Sequence, residues 1–181
     1  RVGPSPETDA LLALMYLDAA RFDSRVDGAG GLLLLEDQDR SLWNVDQIEE
    51  GRAALDRALA LAGRDRYVLE AAIAALHVDE PQDWRQLAAL YGELARLTGS
   101  PVVELNRAAA MAEAGQVEAA LELVESLDLE RYHYLHSTRA ELLRRLDRID
   151  EARAAYDRAL EVVHSDPERR FLERRREELR T

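Results

Sequence analysis

Arg153-Ala154-Ala155-Tyr156-Asp157-Arg158-Ala159-Leu160 repeats, with one substitution, the earlier octet Arg52-Ala53-Ala54-Leu55-Asp56-Arg57-Ala58-Leu59. An octet used twice in one chain marks a structural unit used more than once. Both copies place small residues at helical spacing, so each reads as the middle of a helix packed closely on a neighbour. Working outward, helical periodicity covers almost the whole chain. A first helix is predicted over residues 6–21, and a second opens at Asn44, whose amide suits an N-cap, and closes at Ala62-Gly63. Further helices read at 65–78, 83–98, 101–114, 116–127, 131–146, 149–163 and 167–180. They are separated by Glu80-Pro81, Gly99-Ser100-Pro101, Gly115, the Leu127-Asp128-Leu129 step, Asp147 and Asp166-Pro167. Connections this short make sequential helices antiparallel neighbours.

Gly51, Ala88, Ala120 and Ala152 fall at equivalent points of successive second helices, 37, 32 and 32 residues apart. These intervals bracket the period of about 34 residues of tetratricopeptide repeats, in which small residues let paired helices approach closely. Ala112–Ala120 and Leu146–Ala152 each read as the turn and second-helix start of such a unit. The predicted fold is all-α, a tetratricopeptide-like array of about nine antiparallel helices; an ordinary bundle with alanine-rich seams is the alternative. Leu11, Leu12, Met15 and Ala19 form the apolar stripe of the first helix, which ends near Asp23 before the breaker Asp27-Gly28-Ala29-Gly30-Gly31.

Composition narrows the function. The chain of 181 residues carries 24 arginines, no lysine, no cysteine and a net charge of −12. Without cysteine there is no disulfide, thiolate metal site or thiol nucleophile. The acidic balance argues against nucleic acid as a direct ligand, because phosphate affinity comes from clustered cations. Only the last helix, with six arginines and four glutamates between Pro167 and Arg180, is locally basic, and Arg–Glu pairs at helical spacing account for it. No apolar run approaches the ~20 residues of a membrane span, and no signal peptide is visible, so the expected location is cytoplasmic. The start Arg1-Val-Gly-Pro-Ser-Pro6 has no initiating methionine and reads as a fragment of a longer protein.

One segment departs from the helical pattern. In Leu32-Leu33-Leu34-Leu35-Glu36-Asp37-Gln38-Asp39-Arg40-Ser41-Leu42-Trp43, four leucines run into a polar cluster that ends on tryptophan. Two acids, an amide, a guanidinium and a hydroxyl can bond to one another, with Arg40 able to hold a carboxylate bidentately. The cluster is either a structural knot or a recognition patch. Acids of one short segment give no sign of the separated pKa values that a catalytic pair needs.

The stretch Leu34–Trp43 resembles the Asp-Gln-Asp-Arg signature of one group of bacterial extracytoplasmic-function RNA polymerase sigma factors that carry a long helical C-terminal extension. The resemblance continues through Leu11–Met15, Ala71–His77, Asp83–Gln86, Pro101–Arg107 and Phe171–Arg175, nearly the whole chain. It implies that residues 1–43 are an N-terminal helix plus the signature linker and 44–181 the helical-repeat domain, with sigma regions 2 and 4 upstream and absent here. It further implies a regulatory role in transcription initiation. The resemblance implies that the extension acts in place of a separate anti-sigma factor by contacting the sigma regions of the same protein or RNA polymerase core, and that DNA is met only through the missing regions. Carried over by residue, the motif is Asp37, Gln38, Asp39 and Arg40, completed by Ser41 and Trp43; Leu42 stands where the group often has a polar or basic residue. An acidic module suits the task, since sigma regions that hold DNA are basic. The alternative is a helical-repeat scaffold that binds a peptide or protein partner unrelated to transcription.

Asn106, Arg107, His136 and Arg139 are candidates for a concave binding face. His133 and His136 stand at i and i+3, a spacing that can chelate a metal, yet no third ligand is in register, and neighbouring Tyr132 and Tyr134 favour a packed aromatic face. His77 and His164 sit at helix ends, where a partly positive imidazole complements the dipole. No phosphate loop, nucleophile elbow or metalloprotease motif occurs, so no cofactor, metal or enzyme activity is expected.

Overall fold

The computed structural model describes residues 5–26, 33, 35–61 and 65–179. Among them the fold is all-α, with nine helices: α1 (Pro6–Ala19), α2 (Val45–Ala60), α3 (Arg66–His77), α4 (Trp84–Thr98), α5 (Pro101–Glu113), α6 (Val117–Glu125), α7 (His133–Arg145), α8 (Ile149–Val162) and α9 (Asp166–Glu178). This matches the predicted helical-repeat array. The expected breaker at Asp27–Gly31, part of the leucine run and the Ala62-Gly63 stop lie outside the described residues.

Helix ends form where the sequence supplies capping chemistry. Ser5, Asn44 and Asp65 each accept the N–H three residues on, at 3.1 Å, satisfying donors that the first turn leaves open. α5 closes on Gly115 in the left-handed region (φ 86°), with Gln116 N–H donating to Met111 O at 2.9 Å and Gly115 N–H to Ala112 O at 3.0 Å. The same bond pair closes α7, where Asp147 (φ 59°) takes the glycine's place and Arg148 N–H donates to Leu143 O at 2.9 Å. Gly115 and Asp147 are 32 residues apart, so the repeat recurs in backbone as well as in sequence.

The chain divides into two compact units: the first holds α1–α3, the second α5–α9 with Trp84–Ala95 of α4, while Arg96–Thr98 groups with the first. In the first unit α1 packs on α2 and α3. Its buried face is Ala10, Ala13, Leu17 and Ala20, not the Leu11–Met15–Ala19 stripe that periodicity suggested. α1 is apolar nearly all round, so periodicity alone could not choose a face. The alanines win because α2 comes close: a Cβ at Gly51 would lie 2.7 Å from Leu17 Cγ and 3.3 Å from Ala13 O. The displaced stripe is left at the surface, with Leu11 42% and Met15 62% exposed.

In the second unit, the hairpins α5–α6 and α7–α8 and the following α9 share one core around Leu105, Leu121, Val124, Leu142, Leu143, Tyr156 and Leu172. Ala120 and Ala152 are fully buried at the predicted close approaches. Ala88 is only half-buried, and the neighbouring Leu87 fills the inward position instead, so α4 does not follow the small-residue pattern of the other second helices. No helix of the described residues is long and apolar enough to cross a membrane.

Candidate interaction site

The Asp37–Trp43 segment consists of two short 3-10 turns, Leu35–Asp37 and Arg40–Leu42, leading into the Asn44 cap of α2. Trp43 is 7% exposed and donates its indole N–H to Ser24 Oγ at 2.8 Å. Ser24, itself buried, shares its hydroxyl proton between Arg21 O at 2.9 Å and Gln38 Oε1 at 3.3 Å. Asn44 N–H donates to Ala20 O at 2.9 Å. The turn that ends α1 and the turn that starts α2 are thereby stitched through one serine. A buried network in which every member finds a partner specifies one arrangement, because breaking one bond strands the next group.

Arg40 does not clasp an acid of its own motif. It stacks 4.5 Å from the Trp43 ring, with both terminal nitrogens 3.5 Å from Asp79 O and Nη1 3.7 Å from Glu80 Oε2. The cation thus caps the loop after α3, where carbonyls are left without helical partners. Asp39 Oδ1 accepts from Ser41 N–H at 2.9 Å and Ser41 Oγ at 2.7 Å, and those bonds hold its carboxyl below the usual range. The segment is divided: Gln38, Arg40 and Trp43 face the protein, whereas Asp37, Asp39, Ser41 and Leu42 are exposed.

Sequence reasoning missed Ser24. Nothing in the sequence distinguishes this serine from an ordinary turn residue, and only the fold places it under Trp43.

The four concave-face candidates do not converge. His136 and Arg139 share a cleft of about 310 Å³ with Glu125, Glu130, Leu135 and Arg158. His136 is buried with Nε2 2.8 Å from Glu130 O, and Arg139 places Nε and Nη2 at 3.2 and 3.0 Å from Glu125 Oε1. Asn106 is exposed elsewhere, while Arg107 pairs with Glu104 at 3.2 Å and lies along Gly92, where a Cβ would come within 3.4 Å of its Nε.

The histidines separate by environment. His133 packs with Tyr132 and Tyr134, its Nε2 3.5 Å from Glu168 Oε1, while His136 turns to the Glu130 carbonyl. The pair therefore does not share a focus, and no group of three or more potential ligands among the described residues could hold a metal ion. Tyr134 donates to Glu168 Oε1 at 2.5 Å, and burial together with that carboxylate pushes its phenol well up. His77 corrects an expectation. Burial, and secondarily the Arg21 charge, pushes its pKa down to about 4, so at neutral pH it is an uncharged imidazole and contributes no positive charge to the end of α3.

Residues 1–59, which contain α1, the motif and nearly all of α2, match the model of a family of unknown function (DUF6596). Over 173 residues, 92% of this chain, the sequence is 42% identical to an uncharacterized protein, R00370, of Rhizobium meliloti (strain 1021). The chain spans 41% of that relative's length. No solved structure matches.

Proposed function

We propose that this chain is the C-terminal tetratricopeptide-like regulatory extension of an extracytoplasmic-function sigma factor, acting on sigma regions or polymerase core by direct contact rather than by catalysis. The observation that carries the reading is the division within Asp37–Trp43. Half of the motif is spent on fixing the loop, and that fixation holds Asp37, Asp39 and Leu42 outward in a defined geometry. Preorganised exposed groups bind with less loss of freedom than a mobile loop would. The surplus of acid supports a basic partner, through steering and register more than through raw affinity. A relative more than twice as long leaves room for the sigma regions in a complete protein.

Single alanine replacements of Asp37, Asp39 and Arg40 test it, with melting of this chain compared against promoter-directed transcription by the full-length protein. Asp37→Ala is expected to reduce transcription with melting unchanged. Arg40→Ala is expected to lower both, since it removes the stack on Trp43 and the contact to the loop after α3. Unchanged transcription in all three variants overturns the proposal.

A further inference from the structure

From α1 and the motif turns together, we infer a docking surface for a basic amphipathic helix, one that presents apolar side chains between arginines or lysines. This deepens the reading above by naming the partner's chemistry. Leu11, Met15 and Ala19 stand on one face of α1 at i, i+4 and i+8, all exposed, with Leu12 beside them. Phe22, in the turn after the helix, is 73% exposed. The Trp43–Ser24 and Asn44–Ala20 bonds hold that turn beside Arg40–Leu42 and the start of α2, where Leu42 and Val45 are 53% and 62% exposed. Large exposed apolar groups gathered along one helix face and two adjoining turns are what a monomer ordinarily buries. Apolar anchors at i, i+4, i+7 spacing are the means by which one helix recognises another.

Charge chooses the occupant. Glu7, Asp23, Asp37, Asp46 and Glu49 belong to the same elements, are exposed, and make no salt bridge with a described residue. The cations nearby are committed, Arg21 and Arg25 to Asp18, and Arg40 to the loop at Asp79–Glu80. An apolar strip on elements that carry exposed carboxylates without a described cation partner fits a partner of opposite pattern. A second copy would oppose like charges, and an anionic lipid surface would be repelled.

The test uses a synthetic helical peptide of about 18 residues, roughly five turns. Its leucine stripe is flanked by arginines, and a twin has every arginine replaced by glutamate. Each is titrated into this chain at about 0.15 M salt while side-chain methyl resonances are followed. The arginine form is expected to shift the methyls of Leu11, Met15, Leu42 and Val45, and to weaken as salt rises. Met15→Glu, Phe22→Ser and Leu42→Ser should each weaken binding by about tenfold or more, the loss expected for an apolar anchor. These positions are exposed, so melting serves as the check on folding, and three separate variants keep the test open if one misfolds. Equal binding of both peptides, shifts confined to other helices, absence of binding, or a dimer of this chain abolished by Met15→Glu overturns the inference. No polymerase takes part, so the surface can fail while the sigma reading stands, and the reverse.

Discussion

The two units of the chain treat their surfaces differently. In the second, charged side chains are tied to one another: Glu141 takes hydrogen bonds from Arg144, Arg145 and Arg175, Arg145 also holds Glu113, Arg139 holds Glu125, and Arg169 closes the end of α8. Its exposed large apolar groups are Val102 and Tyr134. In the first, Leu11, Leu12, Met15, Phe22, Leu42 and Val45 are exposed, while several acids lack a described cation. Exposed acids outside any salt bridge with a described residue occur in the second unit too, Glu118, Glu122 and Glu173 among them, so the difference between the units lies in their large exposed apolar side chains. A repeat unit is ordinarily closed by a polar outer face at each end of its stack. α1 has Leu11, Leu12 and Met15 exposed instead, and the proposed docking surface rests on that face.

The largest test of that contrast is Trp43→Ala. It removes a buried indole, deprives Ser24 Oγ of the N–H that donates to it and takes away the surface on which Arg40 lies. A loss of about 3–5 kcal/mol is expected from cavity and transfer terms. Hydrogen exchange should show protection falling in α1–α3 while α7 and α8 keep theirs. Equal loss in both units would mean that they unfold as one body, and the division into two units would lose its energetic meaning. Trp43→Phe, which keeps most of the ring but not the N–H, should cost about 1 kcal/mol, the worth of one hydrogen bond.

Next in size are the two close approaches. Ala152→Leu forces a branched side chain into a fully buried point of α8 and should cost about 1–3 kcal/mol. Gly51→Ala meets Leu17 Cγ at 2.7 Å, but alanine returns about 1 kcal/mol of helix propensity, so its net loss is smaller. Thermal melts of both variants check the order. If Gly51→Ala is the more damaging, the α1–α2 seam is the tighter one, and the first unit is more than a platform for exposed groups.

Most of the helical frame was legible because its boundaries are chemical. Asn44, Gly99, Gly115, Pro101 and Pro167 each do something to the backbone that a helix interior cannot accommodate. Which face of α1 turns inward was not legible. Leucine and methionine outrank alanine in hydrophobicity, yet the closeness of Gly51 rewards the smaller side chain, and that distance belongs to the fold. Ser24 was invisible for the same reason, since its role depends on an indole 19 residues away. Ala88 and His77 show two limits of analogy. A repeat period predicts position but not packing, and a helix terminus predicts the sign of a field but not the cost of burying a charge within it.

Acid titration gives the finest comparison, because each unit has its own sensitive group. Burial, then Arg21, pushes His77 down to about 4, while the unfolded chain binds that proton near 6.5. Between those values the unfolded state holds more protons, so stability carried by the first unit falls as pH drops from about 6.5 to 4. Burial pushes Glu141 up, but the hydrogen bonds of Arg144 and Arg145 and the charges of Arg144 and Arg175 outweigh it and bring it to about 2, against an ordinary 4.5. Its contribution is whole above about 4.5 and drains as pH falls toward 2, later on the acid side and in the other unit. Exchange measured along that titration should therefore show α3 losing protection before α7. His77→Gln should flatten the first step alone, and Glu141→Gln the second, with a cost at neutral pH of about 1 kcal/mol for a partly exposed network. Simultaneous loss in both units would show that coupling between them exceeds either local effect. Loss in the reverse order would show that His77 finds water when protonated, and the knot beneath the motif would then be looser than its hydrogen bonds imply.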